Sequence, residues 1–182
     1  MLYIVVALKS EAQAYVDRYK LTKSTLKDFK LFSNATMRLI ISGIGVKASR
    51  MATQTLINSY DITDDDIYIN VGICGASQRF SIGTLIEVGA ISYEGINYSW
   101  SETNATLTTV DEAMSDEKYP LVDMEAYGFY DAVIHSPAIK LFGVYKVVSD
   151  HCNPQSVTKE STKMLIFNQI DAINSLIKQK AL

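Results

Sequence analysis

The sequence predicts an α/β protein, a three-layer sandwich in which helices cover both faces of a mostly parallel central sheet. Three observations support this fold class. Short apolar, β-branched runs alternate with helical patterns along the chain. Several of these runs are apolar throughout, as in strands that are buried on both faces. The chain has 182 residues and is 48% hydrophobic, which suits one sizeable core. We therefore expect a single domain over residues 1–182.

Apolar periodicity and turn residues set the order of the predicted elements. Strands are expected at Leu2–Leu8, Phe29–Phe32, Met37–Ser42, Ile67–Val71, Thr84–Tyr93, Tyr119–Met124 and Ile139–Val148. Helices are expected after the candidate cap Ser10, from Gly43 and Gly45 to about Tyr60, from Glu125 to about His135, and over Lys159–Lys180. Gly72–Ala76 is predicted to be a small-residue loop. Ser99–Lys118 is predicted to be a long loop, because its composition is polar and its periodicity is weak.

Composition excludes several classes of function. The net charge is -3, and no cluster of Lys and Arg is interleaved with aromatic residues, so we expect no nucleic-acid partner. Cys74 and Cys152 do not have metal-ligand spacing, which argues against a zinc site or a disulfide framework. The apolar N-terminus lacks the flanks of a signal peptide, and no apolar run approaches the ~20 residues of a membrane helix. We expect a cytoplasmic protein that does not contact membranes.

Acidic and small residues follow the predicted strands. These are Glu11 after the first strand, Gly72–Ala76, Met124 with Glu125, and Ser149 with Asp150. In a parallel sheet the residues after each strand meet along one edge, where ligands normally bind. Three carboxylates there suit a reaction in which a sugar gains positive charge while a proton moves to a leaving group. Each acid taken singly has an alternative role, because an acid at the start of a helix is also favoured by the helix dipole.

Four segments resemble successive signatures of the nucleoside phosphorylase and methylthioadenosine/S-adenosylhomocysteine nucleosidase superfamily. They are Ser42–Gly45 (SGIG), Asn70–Ala76 (NVGICGA), Val122–Ala126 (VDMEA) and Val147–Asp150 (VVSD), in the family's order. The resemblance extends from Ala7 and Leu8 to the terminal helix. It implies that the chain hydrolyses the N-glycosidic bond of a purine nucleoside without a cofactor or a metal. It also implies a homodimer, with Tyr93–Trp100 as a candidate contact segment.

The resemblance assigns roles to individual residues. Asp150 would protonate the purine at N7, and Glu11 would hold and activate the attacking water. Glu125 would accept hydrogen bonds from the ribose hydroxyls, while Met124 packs against the ribose face. Glycosidic cleavage in general calls for such an acid at the leaving group and a carboxylate near the electron-poor sugar. Further positions that line the family's pocket are matched by Leu8, Ile44, Ile73 and Ser149.

The chain departs from the family's pattern at two anion-binding positions. Ile73 stands where a serine is usual, and Asn70 stands where phosphorylases commonly place an arginine. Because the forked donors of arginine are hard to replace for phosphate, hydrolysis is favoured over phosphorolysis. The alternatives are a phosphorylase and a degenerate member that binds a nucleoside without turnover. Ser99–Lys118 is short for the family, so the base and the 5′ substituent stay open. Trp100 is a candidate for stacking on the base or for packing.

A dinucleotide-binding enzyme is a further alternative, which the sequence does not favour. Gly43–Ala48 fits the pattern G-x-G-x-x-G/A after a strand and before a helix. That fold also needs an acid at the end of the following strand, whereas Asp64–Asp66 precede the strand here. We interpret the glycines as turn and packing residues. His135, His151 and Cys74 have no partner at a recognisable spacing, and we expect structural roles for them.

Overall fold

The computed structural model describes residues 1–102 and 104–180. Its strands are β1 Leu2–Val6, β2 Thr22–Leu26, β3 Phe29–Ser33, β4 Met37–Ile41, β5 Ile67–Ala76, β6 Leu85–Tyr93, β7 Ile96–Ser99, β8 Ala105–Thr109, β9 Leu121–Asp123 and β10 Leu141–Asp150. Its α-helices are α1 Lys9–Tyr19, α2 Val46–Ser59, α3 Ala126–Ile134 and α4 Lys159–Lys180, and Pro154–Ser156 form a short 3₁₀ turn.

Helices cover both faces of the sheet, as predicted. On one face, α2 and α3 pack against a cluster that includes Leu56, Phe129 and Val148. On the other face, α1 and α4 pack against a cluster that includes Tyr15, Val147 and Ile170. The strand residues Val147 and Val148 contribute to opposite clusters because successive side chains of a strand alternate between faces. None of the described helices is long and apolar enough to cross a bilayer.

The sheet is mixed, and the prediction of a mostly parallel sheet was wrong in this respect. Among the described strands, five pairings are parallel and five are antiparallel. Two hairpins that the sequence analysis missed add β2 and β7. Their tight turns contain Lys27, Glu94 and Gly95 at positive φ (52°, 49° and 79°), a geometry that matches the twist of paired antiparallel strands. Only the glycine among these residues signals such a turn clearly.

β5 continues to Ala76, so the predicted Gly72–Ala76 loop is part of a strand. The first residues of β5 pair with β1 on one side and with β10 on the other. Its last two residues, Gly75 and Ala76, pair with β9. The pairing of β5 with β10 closes the strands β10, β6, β8, β9 and β5 into a ring at one end of the sheet. This ring brings the ends of several strands around one space.

Two local predictions also require correction. Ser99–Lys118 contains β8, in which Leu107 and Thr109 are buried and alternate with more exposed threonines. Polar threonines in a half-buried strand weaken the apolar signal, which explains the wrong prediction of a loop. Ser10 lies inside α1 and does not cap it. Instead, the side chain of Glu11 accepts hydrogen bonds from the backbone N–H groups that precede the helix.

Candidate active site

A cavity of about 310 Å³ lies where β1, β5 and β10 end. This volume is at the lower end of the range of about 300–1,000 Å³ that is typical of small-ligand pockets. The structure brings all the sequence-predicted site residues to this cavity. Its lining includes Leu8, Glu11, Ile44, Ile73, Met124, Glu125, Ser149 and Asp150. Ile44 is 59% exposed, which places it at the mouth.

Strand direction explains how Met124 and Glu125 reach the cavity. The sequence predicts a strand here that is parallel to its neighbours, but β9 is antiparallel to β5, with Val122 opposite Gly75. The residues after Val122 therefore run back alongside the residues that precede Gly75. Met124 and Glu125 therefore reach the predicted edge of the sheet, but they do so because β9 is antiparallel to β5.

Glu11 is held rigidly by backbone donors. Its Oε2 accepts hydrogen bonds from the N–H groups of Ala7 (2.9 Å) and Leu8 (2.8 Å), and its Oε1 accepts one from Ile73 (3.0 Å). The residue is 2% exposed, and burial raises the pKa of its carboxyl although these donors favour the ionised form. A rigid, partly desolvated carboxylate of this kind can orient a water and accept its proton.

Glu125 links the starts of two helices. It directly precedes α3, and its Oε1 accepts a hydrogen bond from the N–H of Gly45, which precedes α2 (3.0 Å). Gly45 has φ +101°, a conformation that favours glycine, so the turn that aims this N–H depends on the residue type. Burial, followed by the negative charge of Asp123, raises the pKa of Glu125 to about 7. The site thus contains a carboxyl that changes charge near neutral pH.

Asp150 is the last residue of β10, and its carboxyl group contacts the hydroxyl of the preceding Ser149. Its Oδ2 lies 2.6 Å from Oγ of Ser149, and its Oδ1 accepts a hydrogen bond from the N–H of Asn153 (2.7 Å). The Ser149 hydroxyl also lies 3.1 Å from the carbonyl oxygen of Cys74. Because a hydroxyl carries a single proton, Ser149 donates to only one of these two acceptors at a time. The Ser149 hydroxyl can therefore switch between the carbonyl of Cys74 and the carboxyl of Asp150.

An apolar wall faces these acids. Val110, Ala113 and Met114 contribute from one segment, and Pro154 and Val157 contribute from another. The region 99–118 thus supplies part of the wall in spite of its shortness. Trp100 does not line the cavity: its ring stacks on Tyr130 at 5.0 Å and contacts Phe142 at 5.4 Å. Its role is packing, the second of the two alternatives that its sequence position left open.

Other residues singled out from the sequence have structural partners. The Asn70 side chain is buried in the sheet and donates to the carbonyl of Val5 (3.0 Å), away from the cavity lining. His151 Nε2 lies 2.9 Å from the carbonyl oxygen of Phe80, and the exposed His135 caps the end of α3. Cys74 lines the cavity, but burial raises the pKa of its thiol, which makes it a poor nucleophile. Within the described residues, no group of three or more His, Cys, Asp and Glu side chains is arranged to hold a metal.

A buried ion pair at the cavity wall is absent from the residues that the sequence predicted. Lys146 Nζ lies 2.8 Å from Oδ2 of Asp123, and both side chains are almost completely buried. Lys146 lies in the middle of β10, where apolar residues surround it in the sequence. A lysine inside an otherwise apolar strand is the signal that could have identified it, because buried lysines occur almost only in pairs with acids.

The fold, a partly closed mixed sheet covered by helices on both faces, is similar to that of solved nucleosidases. Several such structures superpose on nearly the whole chain. One is the 5′-methylthioadenosine/S-adenosylhomocysteine nucleosidase from Neisseria meningitidis in complex with methylthio-immucillin-A (TM-score 0.76, 15% identity, 98% of each chain covered). Another is the nucleosidase of the same name from Helicobacter pylori (TM-score 0.79, 12% identity, 98% of this chain and 97% of that chain).

A third similar structure is the futalosine hydrolase of Helicobacter pylori (TM-score 0.79, 11% identity, 98% of this chain and 97% of that chain). No model of a protein family and no curated protein matches the chain by sequence. At these identities the superpositions establish the fold, whereas the activity depends on the residues of the site.

Proposed function

We propose that this chain is an N-glycosidase that hydrolyses a purine nucleoside to the free base and the free sugar. The observation that carries the proposal is that three buried carboxyl groups, those of Glu11, Glu125 and Asp150, face one apolar cavity from separate strand ends. Hydrolysis of a glycosidic bond needs an acid at the leaving group, a base for water and negative charge near the cationic sugar. The cavity supplies a carboxyl group for each task.

Asp150 is the proposed general acid at the base. Protonated Asp150 donates to N7 of the purine, which lets the base leave as a neutral molecule. Ser149, 2.6 Å away, then turns its hydroxyl from the Cys74 carbonyl to the new carboxylate. This hydrogen bond stabilises the charge that Asp150 acquires as its proton leaves. Met114, Pro154 and Val157 provide apolar surface for the base and exclude water from it.

Glu11 and Glu125 are the proposed partners of water and of the ribose. Three backbone donors hold Glu11 in place, which suits a base that must orient a single water for attack. Glu125 uses Oε1 to accept from Gly45, and within the described residues no protein donor contacts its Oε2, which leaves that oxygen for ribose hydroxyls. As the sugar becomes positively charged, both carboxylates stabilise it electrostatically.

Hydrolysis is preferred to phosphorolysis because the cavity contains no cation for phosphate. The charged residues of its lining are all acids, namely Glu11, Asp123, Glu125 and Asp150. These negative charges oppose the entry of a phosphate ion. Asn70, in the position of a phosphorylase arginine, is buried in the sheet. Water is therefore the proposed nucleophile.

Two further parts of the proposal concern assembly and compartment. We propose a homodimer, formed through the region near the site that includes Tyr93–Trp100. In its favour, Ile96 in this segment is exposed, as are Ile44 at the cavity mouth and Met51 on α2. Exposed large apolar side chains are expected at subunit interfaces. We also propose a cytoplasmic location. In its favour, both cysteines are free, as is usual in a reducing compartment.

The test is a panel of purine nucleosides whose 5′ substituents are hydroxyl, methylthio, homocysteinyl and a larger acyl group. Free base and sugar products are measured by chromatography, with and without phosphate, for the wild type and for Asp150→Asn. We expect base and free sugar at a rate independent of phosphate. Ribose 1-phosphate as the product would assign a phosphorylase. Binding of a nucleoside without any release of base would assign a binding protein.

A further inference from the structure

The buried ion pair of Lys146 and Asp123 has a specific position relative to the proposed site. Lys146 is 1% exposed, and its ammonium donates to Oδ2 of Asp123 at 2.8 Å. Burying a lysine is costly unless acids compensate its charge. Lys146 pairs in register with Gly72 of β5, so its side chain starts beside the cavity wall.

The Asp123 carboxylate accepts hydrogen bonds from four donors. Its Oδ1 accepts from the hydroxyl of Thr109 (2.8 Å), and its Oδ2 accepts from the backbone N–H groups of Ala126 (2.8 Å) and Glu125 (3.3 Å) in addition to Lys146. These hydrogen bonds fix the Asp123 side chain at the start of α3.

Lys146 also lies close to Glu11. A Cβ atom on Gly72 would be 2.9 Å from Oε1 of Glu11 and 3.4 Å from Nζ of Lys146, so both groups lie against the same face of Gly72. A larger residue at this position would separate them or displace them. The glycine therefore allows the carboxylate and the ammonium to occupy neighbouring space above the strand.

We propose that Lys146 is a positioning residue whose buried positive charge lies among Asp123, Glu11 and Glu125 and favours the charged forms of the two glutamates for catalysis. This inference rests on the proposed function. The titratable groups that face Lys146 come from several elements: Glu11 from α1, Cys74 from β5, Asp123 from β9 and Glu125 from the residue before α3. Without the ammonium, the remaining charges of the cluster are all negative.

The effects on the two glutamates differ. Lys146 lowers the pKa of Glu11 and that of Glu125, whereas Asp123 raises the pKa of Glu125. Removing only the lysine leaves the charge of Asp123 uncompensated, which also destabilises the fold. Removing both members of the pair leaves no unpaired buried charge. Glu11 then still lacks the nearby cation, so its pKa rises. At Glu125 the loss of Lys146 raises the pKa and the loss of the Asp123 charge lowers it, so the two effects oppose each other.

The experiment compares the wild type with Lys146→Met and with the double variant Lys146→Met/Asp123→Asn. Lys47→Met, which removes an exposed cation at the start of α2, is the matched control. Thermal melting measures the stability of each variant. The pH profile of kcat/KM for base release reports the protonation of the catalytic carboxyl groups. Carboxyl ¹³C NMR of glutamate-labelled protein follows each titration without any activity, with the Glu11 and Glu125 resonances assigned from their Gln variants.

We expect Lys146→Met to melt at a much lower temperature and the double variant to recover most of the loss. In the folded double variant, the pKa of Glu11 should rise by about one unit or more, as expected on loss of a nearby opposite charge. The acidic limb of the kcat/KM profile should shift to higher pH with it. Lys47→Met should change neither the pKa of Glu11 nor the pH profile. A double variant with a wild-type Glu11 titration and pH profile would show that the pair is only structural and would overturn the inference.

The two proposals fail separately. If the wild type releases no base from any nucleoside of the panel, the proposed function is wrong. The NMR titration of Glu11 still decides whether Lys146 controls its charge.

Discussion

The raised pKa of Glu125 makes a quantitative prediction about stability that does not depend on any substrate. The folded protein retains a proton on Glu125 up to a pH of about 7, whereas the unfolded chain loses it near the ordinary value of 4.5. Between these values the folded state binds more protons, so wild-type stability falls as the pH rises through this window. One pKa unit corresponds to about 1.4 kcal/mol, so ionising Glu125 costs roughly 3 kcal/mol of folding free energy above pH 7.

Glu125→Gln removes this cost and keeps an amide oxygen that can accept from Gly45. Relative to the wild type, we expect the variant to gain roughly 2–3 kcal/mol in free energy of unfolding between pH 5 and pH 8. For a chain of 182 residues this gain corresponds to an increase in Tm of roughly 4–12 °C. The variant should be more stable than the wild type at pH 8 and close to it at pH 5.

Urea unfolding at pH 5 and pH 8, followed by circular dichroism, measures the two free energies. Glu112→Gln is the control, because Glu112 is exposed. We expect its stability difference from the wild type to be the same at both pH values. If Glu125→Gln also differs from the wild type by the same amount at both pH values, then Glu125 does not have a raised pKa and the electrostatic description of the site is wrong.

The remaining predictions concern activity and assembly. Asp150→Asn should reduce kcat by roughly 10²–10⁴-fold, as for loss of a general acid, with an unchanged melting temperature; a folded variant with full activity would remove Asp150 from the mechanism. Glu11→Gln should lower kcat with little change in KM, whereas Glu125→Gln should worsen both. On a 2′-deoxynucleoside the Glu125→Gln penalty should shrink and the Glu11→Gln penalty should stay constant; equal factors on both substrates would exclude Glu125 as the ribose ligand. Gly72→Ala should lower activity at least tenfold, because its Cβ would lie 2.9 Å from Oε1 of Glu11; wild-type kinetics would show that the site tolerates the displacement. Light scattering at micromolar concentration should give the mass of a dimer, and a monomer would contradict the proposed assembly.

Local patterns in the sequence determined the elements that surround the cavity. The apolar run at the N-terminus, the helix after Gly45 and the terminal helix follow from composition and periodicity, which depend on residues close in sequence. The resemblance of four short segments to a known family identified positions that the structure brings together around one cavity. Such segments are informative because residues that follow strands meet at one edge of a sheet.

Tertiary structure decided the direction of the strands, the closure of the sheet and the electrostatics of the site. The antiparallel pairing of β9 with β5 and the pairing of β5 with β10 join residues far apart in sequence, and no local pattern encodes them. The same pairings bury Lys146 between three acids and place Trp100 against Tyr130. The charge of a carboxyl depends on the groups within a few ångströms and on its access to water, and only the folded chain determines both.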